Sequence, residues 1–394
     1  MLVVILICFA FLDDPLATYD GLTLDEWRER MKSLELDNPE SRSAVPGMVA
    51  IVKDTSVPWF TRRQAALTLG RLGPIATDAV PVLAEILKNP DGEDSTRIWV
   101  GKALALFGPE AETVTPTAVE ILQDEQSPLG DRQVMIELLG RIGGRHPRAI
   151  PALIETIRMT PPADKTAARD VNTLRALAGE SLATVGSDAT AAIPALTRTL
   201  YDENELVRRR AVEALGAIGP AAAVAMPTLM EVLVFDESAA VRDSAEVSLA
   251  QFGPTILETV IGLTADPDPE VRTRAASILG RMGRVARSAA NSLHVLLTDD
   301  MAGVRVRAME AIWQINGTAE AGILVPHAIK ALAEDDRQLR IRAYRLLVEI
   351  GQSAPKTVRN ALEKIPDDAS SAVRQAAKKI LRTLDAPRRQ PVQN

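Results

Sequence analysis

The 394-residue chain is poor in the side chains on which most catalytic and metal-binding sites depend: it has one cysteine, three histidines and 3% aromatic residues. The lone Cys8 excludes an intrachain disulfide and a cysteine zinc cluster, and leaves the redox compartment open. His146, His294 and His327 each read as solitary, with no second histidine or carboxylate at a metal-binding helical spacing. There is no Gly-x-x-x-x-Gly-Lys-Ser/Thr phosphate loop, no nucleophile elbow and no dinucleotide fingerprint after a strand. These gaps point away from catalysis and imply no cofactor and no metal. A strongly basic segment is also missing. The formal charge is −7, with 20 acids against 11 bases in residues 1–130 and 32 against 34 in the rest. Polyanion binding rests on clustered Lys and Arg, so this balance counts against nucleic acid as a ligand.

What is abundant is small and aliphatic. Hydrophobic residues make up 46% of the chain, and with so few aromatics they are mostly Ala, Leu, Val and Ile, the fillers of closely stacked helices. The 25 prolines and 23 glycines exclude long uninterrupted helices and suit short ones with punctuated turns. The length exceeds what one compact core holds, unless repetition lets the fold extend in one direction.

The first 19 residues read as a leader. Leu2 to Leu12 is continuously apolar, as long as a signal-peptide core and too short to cross a bilayer as a helix. No Lys or Arg precedes it and no small-x-small cleavage site follows, so a buried capping helix is the competing reading. Export is the favoured localisation.

From Thr61 onward one pattern recurs. Its Arg column holds Arg62, Arg97, Arg132, Arg175, Arg208, Arg242, Arg272, Arg305, Arg340 and Arg374, spaced by 35, 35, 43, 33, 34, 30, 33, 35 and 34 residues. Such periods mark a helical array. Seven positions after each Arg stands Leu69, Leu104, Leu139, Leu182, Leu215, Leu249, Leu279, Ile312, Leu347 or Leu381, never a polar residue. A small or apolar residue three positions after each Arg shares that face, which defines the second helix of each repeat. Its end is expected at Gly73, Gly108, Gly143, Gly186, Gly219, Gly253, Gly283 and Gly351, in a left-handed cap, with Asn316 standing in at repeat eight. Prolines at 81, 116, 151, 194 and 227 place the start or a bend of the next first helix. Six residues before the Arg lies an acid: Asp91, Asp202, Asp236, Asp266, Asp299, Glu334 and Asp368.

These columns, above all residues 207–220 (ValArgArgArgAlaValGluAlaLeuGlyAlaIleGlyPro) and 266–272 (AspProAspProGluValArg), resemble the HEAT family, including the HEAT-like repeats of phycobilisome lyases, over about residues 24 to 385. The resemblance implies an all-α, right-handed α-α superhelical solenoid of about ten helix pairs, within residues 20–385, followed by a frayed tail at 386–394. It also implies a ladder in which turn acids and helix arginines link neighbouring repeats, namely Asp202, Arg208, Asp236, Arg242, Asp266, Arg272, Asp299 and Arg305. The lone cysteine gives no support to a bilin lyase, and the missing His-Glu pairs speak against the HEAT-built di-iron hydroxylases.

Breaks in the pattern are informative. Residues 158–172 lengthen repeat four and are expected to place Pro161, Pro162, Asp164, Lys165, Arg169 and Asp170 in a turn, while repeat seven is short, with Pro254 running almost directly into Ile256. Thr23 and Glu26 form a capping box ahead of Leu24, Trp27, Met31 and Leu34, so Trp27 is expected to cover the first repeat. Trp313 stands in a column of Gly and Ala in which only Val348 and Arg382 are also large, either filling a void or offering an exposed anchor.

The expected function is a protein-binding scaffold or adaptor, monomeric, with its partner on the inner face formed by the second helices. Lys102, Glu137, Glu180, Arg209, Glu213, Asp243, Arg274, Arg307, Glu310 and Arg345 fall in exposed columns there, with Trp313 beside them. Their mixed signs suit a protein partner. The alternative is nucleic-acid binding through a basic stretch in repeats five to eight, comprising Arg209, Arg210, Arg274, Arg281, Arg284, Arg287 and Arg307.

Overall fold

A computed structural model describes residues 18–36, 39–88, 96–366 and 368–385. The apolar leader at 2–12, Cys8, Asp91 and the tail at 386–394 lie outside the described residues. By its internal contacts the chain divides into two compact units, residues 1–214 and 215–394.

The first unit opens with a two-stranded antiparallel hairpin, β1 (Thr18–Tyr19) and β2 (Leu22–Thr23), turned through Asp20 and Gly21. Thr18 and Tyr19 therefore belong to the folded part, not to the leader. The Thr23–Glu26 capping box starts α1 (Leu24–Ser33), as its spacing predicts. Trp27 is fully buried, its Nε1 donates to the Tyr19 carbonyl at 2.6 Å, and its ring occupies the space that any side chain at Gly47 would need.

Helix pairs follow. In the first unit they are α2 (Pro39–Lys53) with α3 (Trp59–Leu72), α4 (Val80–Lys88) with α5 (Thr96–Phe107), and α6 (Thr115–Gln123) with α7 (Leu129–Ile142). Next come α8 (Ala149–Ile157) with α9 (Lys165–Val185), and α10 (Ile193–Thr199) with α11 (Glu205–Ile218), inside which the unit boundary falls. The second unit continues with α12 (Met226–Phe235) and α13 (Ala239–Gln251), α14 (Leu257–Leu263) and α15 (Pro269–Met282), and α16 (Ala290–Leu296) and α17 (Ala302–Asn316). It ends with α18 (Ala321–Ala331) and α19 (Arg337–Ser353), then α20 (Pro355–Leu362) and α21 (Ser371–Asp385). The architecture is an all-α solenoid of helix pairs, and the odd-numbered helices from α3 onward are the second helices predicted from the Arg column.

The aliphatic column forms the core. From Leu69 to Leu347 every member is fully buried, and only Leu381, on the terminal helix, is half-buried. The small-residue column lets neighbouring second helices approach. At Gly70 a Cβ would come within 2.5 Å of the Ala103 carbonyl oxygen, so α3 and α5 could not meet as they do with any larger residue there.

The helix ends correct the sequence reading in three ways. First, the glycines after α3, α7, α9 and α15 have φ between 49° and 66° with ψ between −120° and −138°. That is the mirror image of the extended region, open essentially to glycine, and not the left-handed helical cap expected. Second, Asn316 is the last residue of α17, and Gly317, at φ 59° and ψ −136°, makes the reversal instead. Asparagine is tolerated in the left-handed helical region but has no such allowance here. Third, Gly351 is inside α19 and buried, where the Leu384 side chain packs over it.

After most of these glycines a short 3-10 segment leads into the next first helix, and prolines sit in the first turn of α6, α10 and α12. In repeat seven that segment shrinks to Gly253–Ile256. The insertion in repeat four is mostly helix: Asp164 accepts from the N–H groups of Thr166 and Ala167 and starts α9, so Lys165, Arg169 and Asp170 lie on added turns of that helix. Residues 205–235 are collectively apolar and long enough to cross a bilayer, but Gly219, at φ 76°, divides them into α11 and α12.

Two substitutions test this account. Leu215→Ala is expected to cost about 2 to 5 kcal/mol in chemical denaturation, and a loss under about 1 kcal/mol would mean the face is misassigned. Gly283→Asn is expected to destabilise almost as much as Gly283→Ala, about 1 to 3 kcal/mol, since space around Gly283 is open and only its backbone angles object. A neutral Asn variant would restore the left-handed cap.

Candidate functional site

The arginine column is where the repeats are tied together. Arg62, Arg97, Arg132 and Arg175 donate from Nε to the last carbonyls of the preceding first helix, those of Val52, Leu87, Leu122 and Ile157. Arg208, Arg242, Arg272, Arg305 and Arg340 instead use Nη1 on the turn carbonyls five and six residues back, Asp202 and Glu203 for Arg208 and Asp266 and Pro267 for Arg272. The first four satisfy carbonyls that the short helix leaves without an intrahelical donor, and the other five satisfy carbonyls at or beyond the end of the helix, in the turn.

The family ladder would pair Asp202 with Arg208 and Asp266 with Arg272, but the carboxylates of Asp202, Asp299 and Glu334 reach the arginine of the preceding repeat. Asp202 and Asp266 meet the arginine of their own repeat through their backbone carbonyls. The Asp202 carboxylate pairs with Arg175 of the repeat before it. Likewise Asp299 takes two bonds from Arg272, at 2.8 and 3.0 Å, and Glu334 pairs with Arg305. The second oxygen, or the same carboxylate, also accepts the N–H two residues on, in Asp202, Asp236, Asp266 and Asp299 alike. Asp54 and Asp124 do this in repeats one and three, two positions earlier than the acid column read from sequence.

A second set of ion pairs runs along the faces of the second helices, and sequence reading missed it. Arg210 of α11 reaches Glu180 of α9 at 3.0 Å and Glu213 at 2.9 Å. In the second unit Glu246 of α13 is only 3% exposed, accepts from Ser277 and Arg281 of α15, and has Arg274 at 3.6 Å. Glu310 of α17 takes both Arg342 of α19 and Arg307. Burial acts to raise the Glu246 carboxyl, but hydrogen bonds from Arg281 and Ser277 and the charges of Arg281 and Arg307 hold it below its ordinary value. Arg307 is pulled down by its own burial and by Arg342, with Glu310 opposing.

Several residues expected to meet a partner are thus occupied. Arg274, Arg307 and Glu310 are largely covered, Arg274 and Glu310 bound into links between repeats and Arg307 paired with Glu310 of its own helix, and Arg209 lies against Glu213 at 3.6 Å. Asp243 and Arg345 are exposed. Trp313 is not an exposed anchor: it is 8% exposed and its Nε1 donates to Glu349 of α19 at 2.8 Å. It fills the space between α17 and α19, which pack less extensively than α15 and α17. The basic stretch proposed for nucleic acid is neutralised at Arg210, Arg274, Arg281 and Arg307 by Glu180, Glu213, Glu246, Glu270 and Glu310. His294 is not solitary either, for Glu320 lies 3.1 Å from its Nε2. Among the described residues no three His, Cys, Asp or Glu side chains converge in a way that would hold a metal ion.

Two recesses lie on the second-helix faces of the first unit. Three successive second helices, α5, α7 and α9, line a groove of about 480 Å³ with Ile98, Lys102, Gln133, Glu137, Leu177 and Glu180 along its walls. A second groove, of about 670 Å³, lies between α1, α3 and α5. The first holds Lys102, Glu137 and Glu180 of the predicted inner-face columns; the second was not foreseen.

Residues 167–250 and 226–313 match the family of HEAT repeats, and residues 61–89 match the PBS lyase HEAT-like repeat. No curated protein matches the sequence significantly. Among solved structures, an engineered protein aligns at 19% identity over 87% of this chain and 99% of its own, with a TM-score of 0.39. Kap95p, described in its binding to RanGDP, aligns at 14% identity over 92% of this chain with a TM-score of 0.48, and the chain spans 55% of it. Human deoxyhypusine hydroxylase, in complex with glycerol, aligns at 21% identity over 69% of this chain and 95% of its own, with a TM-score of 0.30.

Glu246→Gln is expected to lower the thermal midpoint at neutral pH. A carboxyl held below its ordinary 4.5 in the folded chain stabilises fully above that value and loses the contribution as pH falls through the lower folded value. The gap between parent and variant should therefore close in acid, and a gap that stays constant from neutral to acid pH would show that the ionised carboxylate is not what stabilises.

Proposed function

We propose that this chain, a HEAT-repeat protein, is a scaffold that docks a protein partner on the exposed faces of its second helices. The observation that carries the reading is the groove along α5, α7 and α9, where three consecutive repeats contribute to one continuous recess. Its walls combine the apolar Ile98 and Leu177 with charges of both signs, Lys102 and Arg141 against Glu137 and Glu180. A polyanion would favour one sign throughout, whereas a protein surface supplies complementary charges and apolar side chains together. Small-residue packing holds the floor: a Cβ at Gly140 would strike Ser181, whose Oγ donates to the Ile136 carbonyl across the helix pair. A recess built on helices locked in this way keeps its shape before a partner arrives, which limits the ordering cost of binding.

The test is site-specific photo-crosslinking in the natural host. A photoreactive side chain at Gln133 or Leu177 is expected to give discrete protein adducts, and one at Glu120 or Glu155, exposed on first helices, to give none above background. Adducts confined to the first-helix positions would move the docking face and sink this reading.

A further inference from the structure

The groove between α1, α3 and α5 differs from its neighbour in one respect that bears on its ligand: its lining includes three cations, Lys32, Arg63 and Arg71, and no carboxylate. This is unexpected where it occurs, because residues 1–130 carry 20 acids against 11 bases. Its floor is apolar, made by Phe60, Leu67 and Leu106, and two of these are exposed to a degree unusual for large side chains, Phe60 at 49% and Leu106 at 50%. Phe60 is held in place: Trp59 meets it edge to face at 6.2 Å, and the Arg28 guanidinium lies 5.0 Å from its centroid. Arg28 is itself fixed by Asp25 and by the Thr61 hydroxyl. Arg63 has no ion pair among the described residues, Arg71 bonds only to the Thr68 hydroxyl, and Lys32 has an exposed Glu29 at 2.6 Å. Exposed pairs of that kind are worth little, so the rim stays effectively positive.

We infer that this groove binds an acidic amphipathic segment of a partner protein, one that sets apolar side chains one helical turn apart on Phe60 and Leu106 and turns its carboxylates to Lys32, Arg63 and Arg71. The inference rests on the docking reading above and adds to it a second groove with a partner chemistry of its own. Two facts select this occupant. A rigid aromatic set among arginines is the composition enriched in protein interfaces, and the apolar ring has no role for a free anion. An extended polyanion would run out over the acidic surface of the first repeats, whereas a short segment feels chiefly the cations within a Debye length, about 10 Å.

The experiment uses the full chain and a fluorescein-labelled synthetic peptide with leucines one helical turn apart among aspartates and glutamates, read by anisotropy. Saturable binding is expected, weakened about tenfold by Arg63→Glu and by Leu106→Asp, as for anchor residues. Both side chains are exposed, and an unchanged thermal midpoint confirms that the variants fold. Glu120→Lys, on the exposed face of a first helix, should leave the affinity unchanged. The inference is overturned if the peptide does not saturate, if its Asn and Gln counterpart binds equally well, or if Arg63→Glu and Leu106→Asp have no effect. Crosslinks from Gln133 and Leu177 in the presence of any of these outcomes would leave the docking reading intact and remove only the acidic segment.

Discussion

A helix of seven to ten residues, as most first helices here are, has four carbonyls at its end without donors inside the helix, a large fraction of all it possesses. The second-helix arginine answers this in the first four pairs by reaching back to the last helical carbonyls, and in the later pairs it holds the carbonyls of the turn that follows the helix. Lysine would offer a single mobile ammonium, while the planar guanidinium presents several donors in fixed directions. That is why Arg272 can satisfy Asp266 and Pro267 with one nitrogen and grip both oxygens of Asp299 with the other two. The same side chain closes its own repeat and fastens the next, so local folding and stacking share one interaction.

The acids and arginines on the faces of α11 to α19 extend the principle sideways. Glu246 and Glu310 each collect cations from the following second helix, which converts an apparent docking surface into a bracing one. The faces of α1, α3, α5, α7 and α9 carry two recesses, and the candidate binding sites are placed there. Charge alternation in the sequence looks the same in both regions. The difference lies in whether the side chains are spent on each other.

What could be read from the sequence was whatever repeats. The Arg and Leu columns placed every second helix because a helix buries one face at fixed spacing, and the capping box placed α1. The partner of each arginine could not be read, since side-chain reach across repeats depends on which nitrogen faces which oxygen. The glycine at repeat eight was missed by one residue because the reversal uses a region closed to asparagine, and composition alone suggested the commoner left-handed cap. The groove at α1, α3 and α5 did leave a trace: Leu106 stands where Arg71, Arg141, Arg281 and Glu349 occupy the equivalent position in other repeats. An apolar residue in a mostly polar column is a signal of exposure, and reading the columns only for what they share passed over it.

Trp313 shows how an array of this kind absorbs irregularity. Where other repeats bring second helices together on glycine or alanine, α17 meets α19 across an indole whose N–H is secured by Glu349. The joint is a gasket, wide and filled, between seams that are narrow. Were that indole cut back to a small residue, the vacated space would border the carboxylate of the exposed Glu349 as well as carbon, and water rather than collapse would be the natural filler. A replaceable spacer of this sort lets one seam change its width while the arginine clasp between Arg305 and Glu334, one helix layer away, keeps the same two repeats in register.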